Sequence, residues 1–210
     1  MQRLVITGSS GYLGRKLLAY FRDRGDKVLG IDRQDPPADA APAEFVRADI
    51  RDRSLIDTIT HFGPQTIIHA AFIFQPMRDR RKMSEINVGG TENILAAVEQ
   101  TSPARFLLVS SATAYGAWPD NPVPLPEDWP LRGRQEYQYA ADKTLIEESL
   151  PSFAQRNPDI CVSWIRPAVI GGPGMRNYLS RFIFGMPFLA KLDGFDTPLQ
   201  FVHEDDVVAA

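Results

Sequence analysis

The segment Gly8-Ser9-Ser10-Gly11-Tyr12-Leu13-Gly14 constrains this chain more than any other. It follows a short apolar run, Arg3 to Thr7. It precedes a stretch in which Leu13, Leu17, Leu18 and Phe21 recur at helical spacing until Gly25 ends it. Glycines in a strand-to-helix turn permit a tight bend, close approach of the backbone to a bound group, and close packing of helix on strand. The helix start then offers free N–H groups and the positive end of its dipole to an anion such as a pyrophosphate.

The same alternation continues along the chain. Lys27–Ile31, Phe45-Val46, Thr66–Ile68, Phe106–Val109 and Ile160–Ile165 read as strands, and Leu55, Ile56 and Ile59 mark a helical face. Longer helices are predicted over about 78–100 and 136–153. Strands alternating with helices imply βαβ units in an α/β, doubly wound, Rossmann-type parallel sheet. The unbroken apolar run Phe106–Val109 fits a strand covered on both faces. Two stretches read as loops, Asp35–Ala43 and the segment Pro119–Pro130 with its five prolines. Residues 1–170 are predicted to form the nucleotide-binding domain, and residues 171–210 the start of a small substrate-binding region. The last residues, His203 to Ala210, read as a helix just beginning, so the expectation is that this second region is incomplete.

Composition narrows the function. The chain has 210 residues and a formal charge of −3, without the basic excess of a nucleic-acid binder. Hydrophobic residues make up 44% and charged residues 23%, the balance of a globular protein rather than a disordered one. Cys161 stands alone, which excludes an internal disulfide and a cysteine-built metal site. His61, His69 and His203 are scattered, so no metal centre is expected. No apolar stretch reaches the length of a signal segment or a membrane span. A cytoplasmic chain without membrane partners is the expectation.

Asp32 closes the second strand 18 residues after Gly14, near the spacing at which a carboxylate meets the ribose hydroxyls of NAD and repels a 2′-phosphate. The neighbouring Arg33 is a group that holds a 2′-phosphate, so NAD is favoured over NADP by Asp32 against Arg33. Tyr139 and Lys143 lie four apart on a predicted helix and share a face. An ammonium beside a phenol lowers the phenol pKa, which suits Tyr139 to general acid–base work. Tyr12 and Lys16 repeat that spacing inside the glycine turn, where no catalytic role is assigned. Position separates the two pairs. Tyr139 follows the hydroxyl cluster Ser110-Ser111-Ala112-Thr113 at the carboxyl end of the fifth strand, and ligands of doubly wound sheets bind at that edge.

Together these segments resemble the extended short-chain dehydrogenase/reductase family, the NAD-dependent epimerase/dehydratase family, along nearly the whole chain. Thr7–Gly14 resembles its glycine motif, with Gly8, Gly11, Tyr12, Leu13 and Gly14 at the cofactor. Asp49-Ile50-Arg51-Asp52 resembles its adenine-contacting segment, and His69-Ala70-Ala71 the small-residue strand end beneath the cofactor. Asn87-Val88-Gly89-Gly90-Thr91 resembles its helix motif. Ser110–Gly116 resembles the segment with the catalytic Ser/Thr, which falls on Ser111, with Thr113 as the alternative. Tyr139-Ala140-Ala141-Asp142-Lys143 resembles the catalytic pair. Arg166-Pro167 with Gly172-Pro173-Gly174, and Phe201–Val207, resemble two later motifs, with Pro167 at the cofactor and Arg176, Asn177 and His203 among substrate contacts.

The resemblance implies an NAD-dependent enzyme. Tyr139 moves a substrate hydroxyl proton, Lys143 holds the nicotinamide ribose, and Ser111 orients the substrate oxygen. It also implies a homodimer through the two long helices, and a small-molecule substrate. Dehydratases of the family carry acids after the catalytic Ser/Thr, where this chain has Ala112 and Thr113. The leading subtype is therefore a nucleotide-sugar 4-epimerase. Many such epimerases have an asparagine where this chain has Val169, which keeps a steroid- or alcohol-type dehydrogenase or ketone reductase as the alternative. A non-catalytic NAD-binding subunit or sensor is the third reading.

Overall fold

A computed structural model describes residues 1–37, 44–175 and 199–210. Six strands form one sheet: β1 (Arg3–Thr7), β2 (Lys27–Asp32), β3 (Glu44–Arg47), β4 (Thr66–His69), β5 (Arg105–Val109) and β6 (Cys161–Ile165). Their order is β3-β2-β1-β4-β5-β6, and every pairing is parallel. The sheet is the doubly wound, Rossmann-type architecture that the alternation implies. Growth of the sheet reverses between β1 and β4, and the crevice beyond their carboxyl ends is where such sheets take ligands.

Pleating assigns the core residues. In β1, Val5 faces one side, while Leu4 and Ile6 face the other. The Val5 side carries α2 (Ser54–Phe62), α4 (Gly90–Thr101) and α5 (Gln138–Arg156). There Leu55, Ile94 and Leu150 pack on Ile31, Ile67 and Phe106. The opposite side carries α1 (Tyr12–Asp23), whose Leu17 and Leu18 pack on Leu4, Ile6 and Val28.

The helix predicted over about 78–100 is divided. Residues Arg80–Ser84 form α3, Glu85–Gly89 form a π-helical turn, and α4 follows. Asn87 accounts for the widened turn. Its side chain turns outward to the 70s loop, accepting from Ile73 N at 2.8 Å and donating to Ile73 O at 3.1 Å, and it also reaches Asp142. Gly89 and Gly90 offer little resistance to the altered winding. The other long helix runs to Arg156, with Pro151 inside it.

A second, two-stranded sheet was not apparent from the pattern. Strands β7 (Val169–Gly171) and β8 (Phe201–His203) pair in parallel, and α6 (Glu204–Ala209) follows. Three-residue strands are too short for periodicity to reveal. No helix among the described residues is long and apolar enough to cross a membrane.

Candidate functional site

The glycine turn lies at the crevice. Gly8 leaves β1 at φ +71°, and a Cβ there would stand 2.6 Å from Ala71 N. A Cβ on Gly14 would overlap the Gly8 carbonyl. The turn is thus pressed between Ala70-Ala71 and α1, with no room for side chains. Gly14→Ala is expected to destabilise the protein by about 1–3 kcal/mol, read as a lower Tm; an unchanged Tm would show that α1 shifts without cost. Gly11 caps α1 with no side-chain hydrogen bond and no acid in the first turn, which leaves the N–H groups open to an anion.

Asp32 stands beside this turn. Its carboxylate accepts from Ser10 N at 3.0 Å and from Gln34 N at 2.9 Å. Arg33 is largely exposed and lies 3.8 Å from Asp49. Asp49 is held in a bidentate pair by Arg51, at 2.9 Å to each oxygen, and this guanidinium keeps its carboxyl below the usual range. Ile50 is buried against Gly90. Asn93 of α4 donates to Ile50 O and Asp52 O, both at 2.9 Å, and so fixes this turn.

His69 locks the strand ends together. Burial, with the Lys143 charge, pushes its pKa down to about 3, so the ring is neutral. Thr91 donates its hydroxyl to Asn87 O at 2.6 Å, so it accepts from His69 Nε2 at 3.0 Å. Nδ1 is then the acceptor for the Thr7 hydroxyl at 2.6 Å. Thr7 Oγ1 in turn accepts from Ala71 N at 3.3 Å, which holds the small-residue segment against Gly8.

The hydroxyl cluster ends β5. Ser111 precedes a 3₁₀ turn, Ala112–Tyr115, and its Oγ accepts from Thr113 N at 3.2 Å and from Thr113 Oγ1 at 3.0 Å. Pro167 O accepts from Ala112 N at 3.0 Å and pins the same turn. The Ser111 hydroxyl lies near enough to the Tyr139 phenol to hold its pKa down. The Tyr139 ring meets Phe72 edge-on, with centroids 5.3 Å apart. Lys143 is buried, donates to Val109 O at 2.7 Å, and places Nζ 3.6 Å from the centre of the Phe72 ring.

The electrostatics depart from the spacing argument. Lys143 does not lower the Tyr139 phenol. Burial pushes that phenol up to about 12, and only the Ser111 hydroxyl opposes the rise. Burial also brings Lys143 down to about 7, against the charges of Glu147 and Asp142. The ammonium lies 5.8 Å from the Tyr139 ring centre and faces Val109 O and Phe72 instead.

Two residues that no motif singled out, Phe72 and Glu147, join the cluster. Phe72 touches both Tyr139 and Lys143. Glu147 is buried one turn past Lys143, accepts from Ser110 Oγ, and pairs with Arg166 Nε at 2.6 Å. Its place four residues beyond Lys143 on the same helix face was the available signal. Arg166 also donates to the Tyr115 hydroxyl at 2.7 Å and to Glu127 O at 2.8 Å. Leu13 packs against the sheet and Tyr12 turns toward Glu204. His203 accepts from Asp205 N at 3.3 Å and so caps α6. Arg176 and Asn177 lie outside the described residues.

An uncharacterised protein of Mycobacterium tuberculosis, Rv0501, is 32% identical over 216 residues, a match covering 99% of this chain and 57% of that protein. A UDP-glucose 4-epimerase of Erwinia amylovora is 29% identical over 170 residues, covering 74% of this chain and 50% of that enzyme. The crystal structure of the Bordetella bronchiseptica enzyme WbmG in complex with NAD superposes with a TM-score of 0.79 at 25% identity, covering 99% of this chain and 66% of that one. The chain thus spans little more than half the length of the curated relatives it matches. A model of the NAD-dependent epimerase/dehydratase family matches residues 4–210, and the chain belongs to that family.

Proposed function

We propose that this chain forms the cofactor-binding part of an NAD-dependent oxidoreductase that epimerises a nucleotide sugar at C4 through transient hydride transfer. One observation carries the reading. Ala70-Ala71 press against Gly8, and the next residue, Phe72, contacts both Tyr139 and Lys143. Three consecutive residues therefore join the anion cradle to the Ser–Tyr–Lys cluster.

The cradle fits a dinucleotide. It combines a turn closed to side chains, open helix N–H groups, and a carboxylate at the end of β2. Gly8, Gly11, Tyr12, Leu13 and Gly14 would hold the pyrophosphate, Asp32 the adenosine ribose, and Asp49 with Ile50 the adenine. When bound, NAD supplies a two-electron acceptor at a carbon that also loses its hydroxyl proton. In this reading Tyr139 takes that proton and later returns it, so the phenol that burial holds up at about 12 has to give up its own proton first. Ser111 orients the substrate oxygen. Lys143 shares the helix face of Tyr139, its Nζ 5.8 Å from the ring centre, and at about 7 it titrates near neutrality. The cofactor ends each cycle as it began it, so it need not leave. A nucleotide-sugar substrate and a homodimer across α4 and α5 belong to the same reading.

Val169 supports a second reading. It lies in β7 with an apolar side chain and leaves no amide there to hold a substrate diphosphate, as an alcohol or ketone substrate permits. Cofactor content separates the two. Denaturation of the purified protein is expected to release near-stoichiometric NAD or NADH, quantified by mass and absorbance. An empty site that fills only on addition would overturn the epimerase in favour of a dehydrogenase. Released NADP would mean that Arg33 outweighs Asp32.

A further inference from the structure

The Tyr12–Lys16 pair repeats the spacing of Tyr139 and Lys143, yet stands on the opposite side of the sheet's centre, on α1. Both of its polar ends meet one group, the carboxylate of Glu204. The Tyr12 hydroxyl donates to Oε2, and Lys16 Nζ lies 2.5 Å from Oε1. Glu204 opens α6, immediately after β8. Its side chain is 1% exposed, whereas Asp205 and Asp206 beside it are exposed. A carboxylate is withdrawn from water only when charge and hydrogen bonds replace its hydration.

The second sheet is shaped around this contact. A Cβ on Gly172, the residue after β7, would overlap the Glu204 carboxyl group. A Cβ on Gly174 would stand 3.1 Å from Tyr12 Cε2. Two glycines of one turn therefore admit the carboxylate and the tyrosine ring. Tyr12 is the first residue of α1 and belongs to the glycine turn itself. The contact joins residues 192 positions apart. It is the polar link between the β7–β8 sheet and the turn that would hold the pyrophosphate.

We propose that Glu204 is a positioning residue for the cofactor. Through Tyr12 and Lys16 it latches the β8–α6 segment onto the glycine turn and so slows release of the dinucleotide. The inference rests on the cofactor reading above and explains how an NAD could stay bound through many turnovers. Neither Glu204 nor Lys16 needs to touch the cofactor. Their effect passes through Tyr12, whose position sets the start of α1 and its open N–H groups.

The test uses Tyr12→Phe, Glu204→Gln and the double variant. Tyr12→Phe keeps the ring against Gly174 and leaves the Lys16–Glu204 pair in place, so it reports even where Glu204→Gln fails to fold. Lys16 is 41% exposed and remains solvated when its partner loses charge. Release of NADH is followed by its fluorescence on dilution into excess NAD. Hydrogen exchange of Phe201–Ala209 is measured in the cofactor-free protein. Each single variant is expected to release NADH about tenfold faster, the effect of one hydrogen bond to a charged group. The double variant is expected to be no faster than Glu204→Gln alone, because that change already disrupts the contact that Tyr12→Phe removes. Exchange at Phe201–Ala209 is expected to accelerate in all three. Release at the parental rate, or effects that multiply to about a hundredfold, would overturn the latch while leaving the cofactor reading intact. A parent protein that takes up no NADH would overturn the cofactor reading and the latch with it.

Discussion

Tyr139→Phe is expected to lower kcat by about 10²–10⁴-fold, the range for loss of a general acid–base, while the protein still takes up NAD. The substitution removes only the hydroxyl. The ring keeps its edge contact with Phe72 at 5.3 Å and its contact with Tyr137 at 5.6 Å. What is lost is the phenol hydroxyl beside Ser111 and the proton that it carries. The glycine turn is built from other residues, so cofactor uptake remains as an internal control. Steady-state rates and NAD titration of the same preparation decide the matter. Turnover that survived the change would remove Tyr139 from the mechanism and favour a chain that only binds cofactor.

Lys143→Met is expected to abolish turnover and, at the same time, to stabilise the fold. Lys143 is 2% exposed, and burial brings its pKa from 10.5 to about 7. Below about pH 7 both the folded and the unfolded chain carry this proton, and the full cost of the buried charge is present. Between about pH 7 and 10.5 the unfolded chain binds the proton and the folded chain does not, so the parent gains stability as pH rises. A depression of that size corresponds to on the order of 5 kcal/mol at low pH. The lost hydrogen bond to Val109 O offsets about 1–3 kcal/mol of it. The methionine variant is therefore expected to be more stable than the parent at pH 6, by an amount that shrinks by pH 9. Denaturant unfolding at the two pH values measures this. A difference that did not change with pH would show that the buried ammonium is not disfavoured.

At Lys143 stability and activity stand in opposition. The carboxylates of Asp142 and Glu147 flank Lys143 on α5, but each is committed elsewhere, Asp142 to Asn87 and Gln138, and Glu147 to Ser110 and Arg166. They raise the Lys143 pKa through space without pairing with it. A strained, water-poor arrangement of this kind is what a fold tolerates where a group must exchange protons near neutrality.

The sequence alone determined what short-range pattern can carry. Glycines between a strand and a helix have one economical use, so the turn at Gly8–Gly14 and its place at β1 were legible. So was the parallel sheet, because apolar runs of strand length alternate with helical faces. The place of Asp32 at the end of β2 was legible from spacing, and so were the hydroxyl cluster after β5 and the helix that carries Tyr139 and Lys143. Tertiary structure decided the rest, because it depends on burial and on contacts between residues distant in sequence. Spacing placed Lys143 on the face of Tyr139, but water exclusion governs both pKa values, and exclusion comes from Phe72 and the packing of β5. The same four-residue spacing at Tyr12 and Lys16 serves a carboxylate 192 residues away from Tyr12, a partner that spacing cannot reveal. Strands β7 and β8 exist because each completes the other's backbone hydrogen bonds, a condition that three apolar residues in a row cannot announce.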